Sequence, residues 1–195
     1  MVAPTGLFVN YKGDLYMKAT CIVRRIDDLG RVVIPKEIRR TMRIREGDPL
    51  EIYTDRDGEV IFKKYSPIGE ISQFAAHYAE TLNKTCGLSV VICDRDSVIA
   101  SAGLPKREYM DRKLSRELEE IIEGRSLYTG GGNEEIPVVD GGQHFISCAM
   151  PIISGGDITG CVASVINGDA PSLQGGLEAK LIQTAAGFFA RQLEE

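Results

Sequence analysis

Apolar and polar residues first alternate in short bursts and later recur at helical spacing, so the two ends of the chain predict different elements. Thr20-Cys21-Ile22-Val23 and Arg31-Val32-Val33-Ile34 are β-rich runs separated by Asp27-Asp28-Leu29-Gly30, turn residues ending in a glycine that can take positive φ. Pro35 stops the second run. Its fixed φ and missing N–H suit the start of a helix, so Pro35 to Met42 reads as one short helix with Glu37 near its positive end. Ile38 and Met42, four apart, are expected to face inward, leaving Arg39, Arg40 and Arg43 toward solvent. Leu50 to Tyr53 and Glu59 to Phe62 then alternate around Asp55-Arg56-Asp57-Gly58, which predicts a hairpin.

From Ser66-Pro67, a capped helix start, the period becomes 3.6. Ile71, Phe74, Ala75, Tyr78, Ala79 and Leu82 mark one face of a helix that ends at Gly87. Leu88 to Cys93 and Val98 to Ala102 read as strands about Asp94-Arg95-Asp96-Ser97. Met110, Leu114, Leu118, Ile121 and Ile122 predict a second helix. A loop around Gly130-Gly131-Gly132 precedes strands at Ile136 to Val139, His144 to Ile153 and Ile158 to Ile166. A last helix, Leu173 to Leu193, carries two apolar stripes, Leu177/Leu181/Ala185/Phe188 and Ile182/Ala186/Phe189/Leu193. One stripe can cover the sheet while the other meets a partner. The order predicts an antiparallel α+β sandwich.

Three segments follow from this pattern: residues 1–16 without sustained periodicity, 17–66, and 67–195. The first is expected to be a poorly ordered or non-native extension, because Lys12-Gly13-Asp14 back-translates to a ribosome-binding site ahead of Met17. A unit of about 45 residues with short strands and no disulfide cannot bury enough apolar surface alone, so 17–66 is expected to be stable only as a dimer.

Composition changes the picture once charge is counted by segment. The chain carries −5 overall, but residues 17–64 hold 12 Lys/Arg against 9 Asp/Glu, and residues 65–195 hold 10 against 18. Within 17–45 the bias rises to 9 basic against 3 acidic. A compact basic face thus adjoins an acidic domain, which is the electrostatic footprint of a nucleic-acid-binding module. No apolar run approaches the length that spans a bilayer, and the odd number of cysteines in apolar stretches reads as reduced, buried thiols of a cytoplasmic protein.

Residues 17 to about 66 resemble the AbrB-type swapped-hairpin DNA-binding family, through Gly30-Arg31-Val32-Val33-Ile34-Pro35-Lys36-Glu37-Ile38-Arg39-Arg40 and the preceding Ile22-Val23-Arg24-Arg25-Ile26-Asp27-Asp28-Leu29. From Met17 to the closing Thr184-Ala185-Ala186-Gly187-Phe188-Phe189-Ala190-Arg191-Gln192, the chain resembles a family of sporulation regulators that fuse this domain to a GAF-like domain. The resemblance implies an N-terminal swapped-hairpin β-barrel dimer and a C-terminal GAF-like α+β domain with an antiparallel sheet. It further implies a transcription regulator of sporulation genes, nucleoid-associated and working in the forespore. Double-stranded DNA is the implied partner. Arg24, Arg25, Arg31, Arg39 and Arg40 fall on the positions the family's DNA contacts occupy.

Assembly is expected as a dimer through the first domain and a tetramer through the second, and an unknown small-molecule effector is expected near the 124–142 loop. No cofactor, metal site or catalytic residue is predicted, since phosphate loops, ligand clusters and nucleophile–base pairs are missing from the pattern. Some GAF-like domains reduce free methionine sulfoxide with paired cysteines. Here Cys148 and Cys161 lie in strand-like runs, which argues against a thiolate. His77 and His144 lack neighbours at ligand spacing. An antitoxin of the swapped-hairpin class is the alternative, but such chains append a disordered toxin-wrapping tail where this one carries about 130 patterned residues.

Overall fold

The computed structural model describes residues 22–130, 135–167 and 176–194. The expectations for residues 1–16, and for Thr20 and Cys21, lie outside the described residues. Two compact units divide the chain, one ending at Asp48 and the other starting at Pro49.

In the first unit the Asp27 turn forms as its residues predict. Asp27 Oδ1 accepts the backbone N–H of Leu29 (3.0 Å) and Arg31 (2.8 Å), and Gly30 takes φ +76° where a side chain would be strained. Helix α1 (Lys36–Thr41) begins one residue after Pro35, which occupies the N-cap position, and Glu37 sits in its first turn. Its end is a Schellman closure: Ile44 N–H donates to Arg39 O (2.7 Å) and Arg43 N–H to Arg40 O (3.3 Å), with Arg43 at φ +51°. No residue of α1 is buried, and Met42 is 47% exposed, contrary to the inward position its spacing predicts. The β-rich residues 31–34 hold no strand. A strand needs a neighbouring edge to complete its hydrogen bonds, and among the described residues of this unit none is supplied.

The second unit opens with the hairpin of β1 (Leu50–Thr54) and β2 (Val60–Lys64), in register from Leu50↔Lys64 to Thr54↔Val60. Asp55 Oδ1 closes its turn on the N–H groups of Asp57 and Glu59. Ser66 then caps α2 (Pro67–Glu70) through Gly69 N–H (3.2 Å), as Ser-Pro predicts. The helix expected to run unbroken to Gly87 is interrupted at Ile71, so that α3 (Ser72–Cys86) is a separate element.

Strands β3 (Ser89–Cys93), β4 (Val98–Ala102), β5 (Tyr128–Thr129), β6 (Phe145–Ser154) and β7 (Asp157–Ile166) make one antiparallel sheet in the order β4-β3-β7-β6-β5. Between β4 and β5 lie α4 (Lys106–Tyr109) and α5 (Arg116–Glu123); α6 (Leu177–Gln192) follows β7. The helix predicted from Met110 forms only in its second half, as α5, while α4 ends before it. Asp111 takes φ +59° and the segment after it pairs with the sheet's loops instead, through bridges Ser97↔Lys113 and Leu114↔Val139. The strand expected at Ile136 to Val139 is reduced to such bridges, and β5 takes the edge position.

All five residues of β3 are buried, and their alternation divides the core. Val90 and Ile92 join Ala75, Ala79, Ile182, Ala186 and Phe189 under α3 and α6. Val91 and Cys93 join Tyr109, Leu114, Leu118 and Ile122 under α4 and α5. Gly160 lets β7 lie against β3: a Cβ there would meet Cys93 O at 2.2 Å. The result is an α+β sheet covered on both faces.

Candidate nucleic-acid interface

All five arginines that the resemblance implies as DNA contacts are exposed. Arg24 and Arg25 precede the Asp27 turn, Arg31 leaves it, and Arg39 and Arg40 share the last turn of α1. The turn fixes one of them directly: Arg31 Nε donates to Asp27 Oδ2 at 2.8 Å, so that carboxylate orients the guanidinium fork. The Arg31 backbone N–H and then its guanidinium hold the Asp27 carboxyl below the usual carboxylate range. Arg39 and Arg40 are positioned by the Schellman closure, because their own carbonyls accept the N–H groups that end the helix. Arg43 and Arg45, which stand beside this set, are half-buried.

The second unit contains a feature that sequence reasoning located only to a loop. Glu117, Glu120, Ile121, Tyr128, Glu135 and Ile136 line a cavity of about 610 Å³. The signal was present in α5: Leu118 and Ile122 are buried, which leaves Glu117, Glu120 and Ile121 along an adjoining face at i, i+3 and i+4. Nothing in the spacing joined that face to Tyr128 and Ile136.

The thiols are electrostatically quiet. Burial pushes Cys148 up to about 11 and Cys161 up to about 12, and Cys93 well above its ordinary value, so all three are neutral near pH 7. His144 Nδ1 lies 2.5 Å from the hydroxyl of buried Tyr109. Among the described residues no helix is long and apolar enough to cross a membrane.

Residues 70–194 match the family described as "Stage V sporulation protein T C-terminal, transcription factor". Stage V sporulation protein T of Bacillus subtilis (strain 168) is 51% identical over 181 residues, covering 92% of this chain and 100% of that one. The chain belongs to the stage V sporulation protein T family. Within this family member, residues 23–70 also match the family described as "Antidote-toxin recognition MazE, bacterial antitoxin". Over 53 residues, 27% of this chain, it is 60% identical to 54% of the transition state regulatory protein AbrB of Bacillus subtilis (strain 168). Among solved structures, the cofactor-binding GAF domain of the nutrient sensor CodY from Clostridium difficile is 13% identical, with a TM-score of 0.43, covering 60% of this chain and 83% of that one. The family membership makes the protein a regulator of sporulation genes, as the resemblance running from Met17 to Gln192 implied.

Proposed function

We infer that this DNA-binding sporulation regulator grips duplex DNA with Arg24, Arg25, Arg31, Arg39 and Arg40, carried on a module of residues 17–66. The observation that carries the reading is the exposure of all five guanidinium groups on the one basic stretch of an acidic chain. Arginine bridges phosphate oxygens and also binds guanine O6 and N7 bidentately, so the set serves both affinity and sequence reading. The module works as a dimer. Val23 is 89% exposed, Val33 72%, Leu29 70% and Ile26 68%, a density of bare apolar side chains that a second copy would cover.

Residues 67–195 act as the oligomerising and sensing domain. Phe74 and Phe188, with ring centroids 5.6 Å apart, are 39% and 40% exposed on neighbouring helices α3 and α6, which supports a second interface and hence a tetramer. The cavity beside α5 is the place for an effector, and the three glutamates on its rim favour one carrying positive charge. The protein acts in the cytoplasm on the nucleoid, as a regulator and not a catalyst. Three buried, neutral thiols do not supply a nucleophile. The antitoxin reading has the match over residues 23–70 in its favour, but a folded α+β domain stands where a toxin-wrapping tail would be. Co-purification of a toxin with the tagged protein would revive it.

The salt dependence of DNA binding tests the face. Each neutralised phosphate contributes close to 0.9 to the slope of log affinity against log salt, so one contacting arginine replaced by alanine in both subunits should shallow the slope by about 2 per dimer. An arginine that reads a base should instead cost about 1–3 kcal/mol at the preferred site, with non-specific binding less affected. Folded Arg31→Ala, Arg39→Ala and Arg40→Ala variants that bind as tightly as the parent at matched salt would refute the assignment.

A further inference from the structure

The last residue of the hairpin is held by a turn of the five-stranded sheet in the same unit. Lys64, at the end of β2, pairs through Nζ with Oδ2 of Asp96 in the β3–β4 turn, and the two side chains are only 25% and 24% exposed. Lys64 lies within the stretch that matches the antidote-toxin recognition family, and Asp96 within the stretch that matches the C-terminal family. The pair therefore joins stretches matched by two different families inside one compact unit, and it is sheltered enough from water that its attraction is weakly screened.

Asp96 is in turn tied to the wall of the cavity. Its backbone N–H donates to Asp94 Oδ1 (2.8 Å), and its carbonyl accepts Leu114 N–H (3.0 Å). Next to Leu114, Ser115 caps α5 by accepting Leu118 N–H (3.1 Å) while its hydroxyl donates to Pro137 O (2.6 Å). Ser115 N–H donates to Val138 O at 3.0 Å. These two connections flank the cavity-lining residues Glu117 on α5 and Ile136 on the facing segment. Three links, Ser115 to Leu114, Leu114 to Asp96 and Asp96 to Lys64, thus connect the start of α5 with the end of the DNA-binding hairpin. All are hydrogen-bonded or covalent, with no exposed, flexible step between them.

We propose that the Lys64–Asp96 ion pair is the coupling element through which the α5 wall of the cavity and the DNA-binding hairpin sense one another. The proposal rests on the reading of that cavity as an effector site, and it locates how occupancy reaches DNA. A shift of α5 moves Leu114 and with it the Asp96 carbonyl. The carboxylate then pulls or releases Lys64 and so the tilt of β2. Coupling between sites is reciprocal, so DNA bound by the module that ends in the hairpin should change the stability of α5 even with the cavity unfilled.

Amide hydrogen exchange on the full chain reads this directly, with sheared genomic duplex DNA at low ionic strength as the probe. In the parent, saturating DNA is expected to change exchange at Leu118 to Ile122 on the order of fivefold, a typical coupling factor. In Asp96→Asn, which keeps the shape of the side chain, and in Lys64→Met, which keeps its length, the same DNA should change it less than about twofold, while Lys64→Glu with Asp96→Lys restores the response. Should one single variant fail to fold, the other and the exchanged pair decide. A parent that binds DNA with no response in α5 overturns the proposal alone. A response that survives intact in the folded single variants also overturns it. A parent that does not bind DNA at all overturns the DNA-binding face together with it.

Discussion

Residues 22–48 and the five-stranded domain solve the same problem in opposite ways. In the domain, every side chain of β3 is buried and two apolar clusters close against the sheet, so the chain alone satisfies its own backbone and hides its own core. In residues 22–48, α1 buries nothing and Val23 and Val33 stand in solvent. Both regions are rich in β-branched residues. The difference is whether the neighbouring edge comes from the same chain, and it teaches that a strand-forming pattern is only half of a strand. In the proposed dimer the first region would draw its stability from association, whereas the second would keep its own at any concentration.

The comparison breaks most visibly at Phe189. Its side chain is fully buried between α6 and the sheet and packs edge-on against Tyr78, with ring centroids 5.2 Å apart. Phe189→Ala should cost the second domain about 3–5 kcal/mol. Denaturant unfolding should show that domain's transition shifted and the other unmoved. A single transition moving as a whole would mean that the two regions are not independent. The sequence pattern left it open whether Phe189 or Phe188 faces a partner; the fold gives the core to Phe189.

A sharper effect is expected at the adjacent pair Val32 and Val33. Successive strand residues point to opposite faces, so in a two-chain barrel one of them enters the shared interior and the other does not. Replacing each by Asp should give one large and one small effect. The inward valine should lose at least about 1.5–3 kcal/mol per chain, the value of its burial, and the outward one should stay within about 0.5 kcal/mol. Concentration-dependent unfolding of a 17–66 dimer within the full chain measures both. Two small effects would remove the argument for a partner.

How much of this could be read from the residues depended on the range of the interaction. Turns and caps were legible, because Asp27, Gly30, Asp55 and Ser66 act on backbone groups within four residues of themselves. Helices α3 and α6 and strands β6 and β7 were legible from periods repeated over ten residues or more. The edge strand β5 was not: two residues carry no period, and Tyr128 and Thr129 become a strand only because Ala149 and Cys148 lie opposite. The first half of the helix expected from Met110 failed for the same reason, since Lys113 and Leu114 instead pair with Ser97 and Val139, while its second half forms as α5. The basic stretch announced itself by charge, and the family resemblance picked its five arginines. The cavity did not, because its lining comes from three separate stretches of chain.

Ser115 tests the domain side at about 1 kcal/mol. It is fully buried, and its hydroxyl both caps α5 and reaches Pro137 O at 2.6 Å. Loss of a cap costs about 0.5–2 kcal/mol, and the stranded Pro137 carbonyl adds to it. Ser115→Ala should therefore lower the second transition and leave the dimer of the first region alone. Ser115→Thr, which keeps the hydroxyl, should recover part of the loss. An unchanged transition in the alanine variant would mean that the cap is made good by water.

The smallest effect on stability carries the most information about assembly. Phe188 is 40% exposed and stacks on Tyr78 at a centroid distance of 5.4 Å and an interplanar angle of 17°, beside Phe74 at 39% exposure. Such a side chain contributes little to its own fold, so Phe188→Asp should change protomer stability by no more than about 0.5–1 kcal/mol. If the stripe across α3 and α6 is where two dimers meet, a charge at its centre should halve the assembled mass. Light scattering should then report the tetramer in the parent and the dimer in the variant. Since the proposed dimer of the first region would remain, affinity for a single DNA site should be unchanged, while any advantage of a tetramer on two linked sites should vanish. A variant that scatters like the parent would show that these rings are surface and no more, and the tetramer would have to be sought on another face.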